Sequence, residues 1–364
     1  VTPNSSVPRA RGALRRGLAA SAVFLVATAL VLAVPGSASA APTTSRADAA
    51  AGWLGRQLTA QHLISGQFGA DYGLTADVVL ALDSAGVGRK AARQATAALT
   101  RHVVDYTGGG DPTEFYAGSF AKLLNVAAAA GTRPNEFGTA PRHKLAFQLL
   151  RLECGGTRAR VCPTGNRGRF SDESKFGDFS NTITQSLALT GLQRTTKAGP
   201  SAASVRYLRN QQCRNGAFPL EISTAGCVAS VDATAFAVQA LLEVGGRKAT
   251  AAAARAATWL TRQQNKNGSF TGNGVRNTNT TGLAAQALDA AGRGAAAARA
   301  VRFITDLQVG CGGKPANRGK VRYDRKGSGD ALRATAQAVP AMAGTAFADI
   351  TAAGATRTLP RLAC

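Results

Sequence analysis

Arg255-Ala-Ala-Thr-Trp-Leu-Thr-Arg-Gln-Gln-Asn-Lys-Asn-Gly-Ser-Phe270 is the stretch whose reading decides the fold. It carries an aromatic-leucine pair, Trp259-Leu260, on a helical segment that ends near Gln263-Gln264, and then a Gly-x-Phe phrase, Gly268-Ser269-Phe270. The phrase is not solitary. It returns as Tyr207-Leu208, Gln211-Gln212 and Gly216-Ala217-Phe218, and as Trp53-Leu54, Gln57 and Gly66-Gln67-Phe68. Phe147-Gln148 with Gly168-Arg169-Phe170 is a looser copy, and Phe303-Ile304 with Leu307-Gln308 opens a final one.

Each copy is followed by a second helix of related form. Ser230-Val-Asp-Ala-Thr-Ala-Phe-Ala-Val-Gln-Ala-Leu runs to Gly245, and Asn277-Thr-Asn-Thr-Thr-Gly-Leu-Ala-Ala-Gln-Ala-Leu runs to Gly292. Ser, Asp and Asn at the starts suit N-caps, and glycines at the ends, Gly191, Gly245 and Gly292, suit the left-handed residue that closes a helix. Ala/Leu-rich stretches alternate with Gly/Asn/Thr-rich loops with little β-type alternation, so the class is all-α. First helices are expected near 48–60, 89–106, 141–152, 201–213, 249–264 and 294–308. Second helices are expected near 73–85, 113–129, 179–190, 230–244, 279–291 and 329–347, the last interrupted by Pro340. That makes about six hairpins with a unit of roughly 45–60 residues, longer than a tetratricopeptide unit. A closed ring needs no capping repeat, whereas an open solenoid does.

The 255–270 segment resembles the Gln-Trp repeat of squalene cyclases and prenyltransferases, with Phe in place of the usual final Trp. The resemblance covers nearly the whole of residues 41–364. It implies an α6/α6 toroid in which the second helix of each hairpin lines a central cavity. The superfamily includes cyclases, protein prenyltransferases, complement thioester domains and cobalamin carriers of the transcobalamin type, so each chemistry was tested on the residues. The chain has no Asp-x-Asp-Asp acid motif of a class II cyclase, and its residues from 41 onward hold only Trp53 and Trp259 as tryptophans. No His follows His143, which leaves no prenyltransferase zinc site. Gly310-Cys311-Gly312-Gly313-Lys314 matches only the first half of a thioester motif. His62, His102 and His143 have no nucleophile context and read as surface or packing histidines. No catalytic residue, metal ligand or cofactor emerges.

The first forty residues read differently. Arg9, Arg11, Arg15 and Arg16 precede an apolar run, Leu18 to Val34, and Ala38-Ser39-Ala40 suits cleavage. This is the pattern of a secretory signal peptide, 1–40, ahead of a toroid domain, 41–364. Six cysteines follow, an even number that suggests disulfides in an exported protein. Sequential pairing is favoured because Cys154/Cys162 and Cys213/Cys227 each flank one loop, leaving Cys311/Cys364 to tie down the tail. No later apolar run is long enough to span a membrane. The net charge of +23 comes from scattered residues without a nucleic-acid-binding module, so nucleic acid is not an expected partner.

A polar column on the second helices remains. Asp178/Gln185, Asp232/Gln239, Asn279/Gln286 and Asp330/Gln337 are each spaced by seven residues, about two turns and roughly 10 Å along one face. Thr234 and Thr281 add hydroxyls two positions after the acid or amide. Tyr72 and Asp77 in the first hairpin and Asp111, Glu114 and Tyr116 in the second lie at corresponding junctions. These side chains can also cap helices and satisfy neighbouring backbone. If they face the cavity together, they suit a polar or amphiphilic ligand. Cobalamin carriers of the transcobalamin type share such a lining and clamp their ligand against a separate β-rich domain, so the resemblance implies, as the leading expectation, a secreted, non-enzymatic toroid that binds a corrinoid or isoprenoid-like small molecule, with a companion surface protein in place of that domain. The alternatives are a terpenoid-cyclase-type enzyme using Asp232 or Asp330 as its acid, and a cell-wall or protein-interaction scaffold.

Overall fold

The computed structural model describes residues 42–43, 45–138, 144–156, 162–222 and 226–364. The expected signal peptide lies outside them. Among the described residues there are thirteen α-helices. The first members of the hairpins are α1 (Arg46–Gly55), α3 (Arg89–Arg101) with the short α4 (Val103–Gly108), α6 (Leu145–Arg151), α8 (Ala202–Asn210), α10 (Arg247–Gln263) and α12 (Gly294–Asp306). The second members are α2 (Tyr72–Ala85), α5 (Ala117–Ala129), α7 (Thr182–Thr195), α9 (Val231–Val244), α11 (Thr278–Ala290) and α13 (Ala331–Met342). The second members pack side by side in chain order, and α13 returns to α2, so the ring closes. This is the expected α/α toroid of six hairpins. No described helix is long and apolar enough to cross a membrane.

The repeated phrase builds the wall by a specific hydrogen-bond scheme. Gln264 donates to the carbonyl of Gly268 in its own loop at 3.0 Å and to Ala296 on the next outer helix at 2.8 Å. Gln212 makes the same pair with Gly216 and Ala252. Gln308 makes it with Gly319 and, at 2.8 Å, with Arg46 of the first hairpin. The last repeat is thus stapled to the first by the bond that joins interior repeats. The glycine has two reasons to be glycine. Gly268 and Gly319 have φ of 86° and 96°, and a Cβ on either would lie 2.2–2.3 Å from a carbonyl oxygen of the next helix. The residue two positions later is buried, and its N–H donates to an inner-helix hydroxyl: Phe218 to Thr234, Phe270 to Thr281, Val321 to Thr335.

Two expectations on the repeat are corrected. Gly66-Gln67-Phe68 is not the structural copy, because Phe68 is 97% exposed. The role falls to His62–Ile64: His62 adopts φ 62° in place of glycine, and Ile64 donates to Thr75 at 2.9 Å. Gly191 does not close its helix. It lies inside α7, where a Cβ would press on Leu124 and Asn125 of α5 at 3.1 Å.

The chain after α13 crosses the C-terminal end of the ring. Thr345 accepts from Gln286 at 2.8 Å, Phe347 donates to Gln239 at 2.9 Å, and Ala352 donates to the carbonyl of Ala129 at 2.8 Å. Arg56 then holds the carbonyls of Leu359 and Pro360. Disulfides join Cys154–Cys162, Cys213–Cys227 and Cys311–Cys364, the sequential pairing expected.

Candidate active site

Inner helices of such a ring present their side chains to the axis at fixed offsets from the hydroxyl that holds the loop. Counting from Thr75, Thr234, Thr281, Thr335 and the equivalent Gln185, the residues two before include Ile183, Asp232, Asn279 and Arg333. Those two after are Asp77, Leu187, Phe236, Leu283 and Gln337. Most of them line one central cavity of about 230 Å³, to which all six inner helices contribute. Its base is closed by Phe347 and Ile350 of the tail.

The cavity has two unlike sides. On α2, α5 and α13 the charges are mutually paired. Lys122 bonds Asp77 at 2.8 Å, with side-chain exposures of 20% and 12%, and Arg333 lies 3.2 Å from Asp71 and 3.8 Å from Asp77. Burial alone would depress the Lys122 ammonium, but Asp77 and Tyr106 hold it above its ordinary value. On α7, α9 and α11 the wall is largely apolar, Ile183, Leu187, Phe236 and Leu283, with Asp232, Asn279 and Gln286 set into it. Phe236 meets Phe347 edge-on, with centroids 5.9 Å apart.

Asp232 belongs to the second wall. Its Oδ1 is buried without a hydrogen-bond partner. Burial pushes the carboxyl above its ordinary value, and a hydrogen bond from Thr280 opposes the shift in part. Burial also raises the nearby Tyr323 phenol, and the charges of Asp232 and Asp324 add to it. Outside the cavity a second, open cleft of about 880 Å³ is lined from within 215–221 and 226–232, by the 270–277 hairpin and by α10. Ile183 and Asp232 line both spaces and so stand on the boundary between them.

Of the ten residues expected to bind, four line the cavity: Asp232, Asn279, Gln286 and Gln337. Gln239 sits at the base, accepting from the Phe347 N–H and donating to the Gln286 carbonyl oxygen. The other five do structural work elsewhere. Thr234 and Thr281 hold the loops, and Gln185 does the same for Phe170, Gly168 and Ser204. Asp178 precedes α7 and binds two backbone N–H groups and Arg169. Asp330 caps α13 through the N–H groups of Leu332 and Arg333, so it is no candidate acid. The seven-residue spacing misled at these two helices because Gln185 takes the place of a threonine and Arg333 takes the place of an acid. Lys122, Arg333, Phe236 and Leu187 were missed. The recurring threonine would have found three of these, since Arg333, Phe236 and Leu187 all stand two residues from it or its Gln185 equivalent.

No protein-family model matches the chain, and no curated protein does. Solved structures do. A protein from Actinoplanes is 17% identical with a TM-score of 0.59, covering 82% of this chain and 98% of that one. A variant of the type II terpene cyclase MstE from Scytonema, bound to its substrate geranylgeranyl dihydroxybenzoate, is 16% identical with a TM-score of 0.58, covering 84% and 97%. The ent-copalyl diphosphate synthase from Streptomyces platensis is 20% identical with a TM-score of 0.51, covering 75% of this chain and 50% of that one. At these identities the likeness is one of fold: an α/α toroid of the kind found in type II terpene cyclases.

The expectation of a non-enzymatic corrinoid carrier is thereby corrected. The solved structures that share the fold include type II terpene cyclases, and the chamber has a largely apolar wall on one side.

Proposed function

We propose that this protein is a terpenoid-cyclase-like enzyme in which Asp232 is the general acid. The observation that carries the reading is the placement of Asp232: a desolvated carboxyl with a free, buried oxygen, on the boundary between an open cleft and a largely apolar chamber. Desolvation favours the protonated acid, which is the form that can donate. The shared fold with type II terpene cyclases supports the same reading.

The step is an isomerisation. The O–H bond of Asp232 breaks as a C–H bond forms from the π electrons of an alkene, leaving a carbocation on the substrate. A second alkene closes a ring onto that cation, and loss of a proton to water in the cleft ends the sequence. Phe236 stands one turn beyond Asp232 on α9, where a ring face can stabilise the developing cation. Gln239 and Gln286 keep the floor in place by fixing the 345–347 backbone.

Incubation with a panel of linear isoprenoids, as free alcohols, diphosphates and aryl conjugates, should yield a cyclic isomer of one of them by mass spectrometry. Absence of any isomeric product across the panel, or full turnover by Asp232→Asn, would overturn the reading. Export belongs to the same proposal. Three disulfides suit an oxidising compartment, and N-terminal sequencing of the secreted chain should begin at Ala41.

A further inference from the structure

The cleft outside Asp232 differs in charge from the rest of the molecule. The chain carries 43 Lys and Arg against 20 Asp and Glu. Yet among the described residues the only ionisable side chains lining the cleft are those of Glu221 and Asp232, both acidic. What remains is neutral: Trp259, Gln263, Asn215, Thr271 and Asn273 with a few aliphatic groups. Trp259 and Gln263 are one turn apart on α10 and share a face. Asn273 is fixed at the tip of the 270–277 hairpin, where Asn273-Gly274 turns with φ of 51° and 76°.

Resting on the proposed cyclase reading, we infer that this cleft receives the uncharged polar end of the substrate, a hydroxyl- or aryl-type head, and excludes a diphosphate. A diphosphate needs cations, a metal bridge or a free helix N-terminus. Among the described residues no Lys or Arg lines the cleft, and no group of three His, Cys, Asp or Glu is arranged to hold a metal. The N-terminus of α9 does open here, but the Ser230 side chain caps it and Asp232 occupies its first turn. The acidic Glu221 adds repulsion. A neutral head, by contrast, finds an aromatic ring flanked by amide and hydroxyl groups that both donate and accept, the usual lining for polar recognition in a mostly apolar site. The hydrocarbon tail then passes Ile183 and Asp232 into the chamber.

The two tryptophans make the test direct. In Trp53→Phe, Trp259 is the sole tryptophan and reports on the cleft. Titration with farnesol should change its fluorescence, and calorimetry on the unmodified chain should give an affinity at least tenfold above that for farnesyl diphosphate. Asn215→Lys should reverse the preference. Tighter binding of the diphosphate, or farnesol binding without a response from Trp259, overturns the inference while leaving proton transfer by Asp232 standing. Heat from neither probe at millimolar concentration overturns the isoprenoid reading and this inference with it. If Trp53→Phe does not fold, calorimetry on the unmodified chain still decides between the two heads.

Discussion

Asp77 and Asp232 face one cavity from opposite walls and meet opposite surroundings. Asp77 on α2 is neutralised by Lys122 at 2.8 Å with Arg333 nearby. Asp232 on α9 has an apolar wall around it, a single hydroxyl partner and an oxygen left bare. A carboxylate with a counter-charge is a structural charge, and a buried one without a counter-charge is held as an acid. Pairs of titratable groups pushed apart by their environments are where acid–base roles are found. The two should therefore separate activity from stability.

The largest effect should fall on activity. Asp232→Asn keeps shape and removes the proton, so turnover should drop by about 10²–10⁴-fold while the denaturant midpoint stays close to that of the parent. The pH profile carries the sign of the shift. Because burial raises the carboxyl, turnover should hold on the acid side and fall tenfold per unit once pH passes the raised value. A rate that increases with pH across that range would make Asp232 a base and break the comparison.

Asp77→Asn should do the reverse. It leaves the Lys122 ammonium buried without its counter-charge, which costs about 3–5 kcal/mol in interiors. The lower end fits here, since Lys122 keeps 20% exposure. Chemical denaturation should register the loss. An unchanged midpoint, together with lost turnover, would move the acid to the other wall.

A smaller effect tests whether the ring is closed by the same scheme that builds its sides. Gly319 touches the first hairpin and Gly268 an interior neighbour, each with positive φ and no room for a Cβ. Alanine at either should cost about 1–3 kcal/mol in backbone strain alone. If Gly319→Ala were much milder than Gly268→Ala in thermal melts, the seam would be looser than the wall.

The wall was legible because it is made by residues with one job repeated. Gln264, Gly268 and Phe270 recur where hydrogen bonding, positive φ and burial recur with them. The site was legible only where the helices kept step. Asp232, Asn279 and Gln286 were found because α9 and α11 share a register. At α7 and α13 the same spacing selected Asp178 and Asp330, which fasten backbone instead. Short polar side chains serve caps and cavities equally well, so spacing alone does not separate the roles. Lys122 and Phe347 were hidden for a different reason. The one sits on the helix whose loop departs most from the repeat, and the other reaches the cavity from a tail with no repeat at all.

Asp83 offers a control for Asp232 with the chemistry removed. It lies on α2 six residues beyond Asp77, 4% exposed, with Oδ1 unpartnered. Burial pushes its carboxyl from 3.8 to about 7. The unfolded chain ionises near the lower value while the folded chain still holds the proton. Stability is therefore full below pH 3.8 and falls by roughly 1.4 kcal/mol per unit between the two values. It levels off above pH 7, where both states are ionised. Asp83→Asn should remove that part of the slope, read as the difference between parent and variant in denaturant midpoints from pH 4 to 8. Activity should keep its own pH profile, because Asp83 does not line the chamber. If the slope stays, desolvation is weaker in this ring than the bare oxygens suggest. The acidity of Asp232 would then have to come from its neighbours.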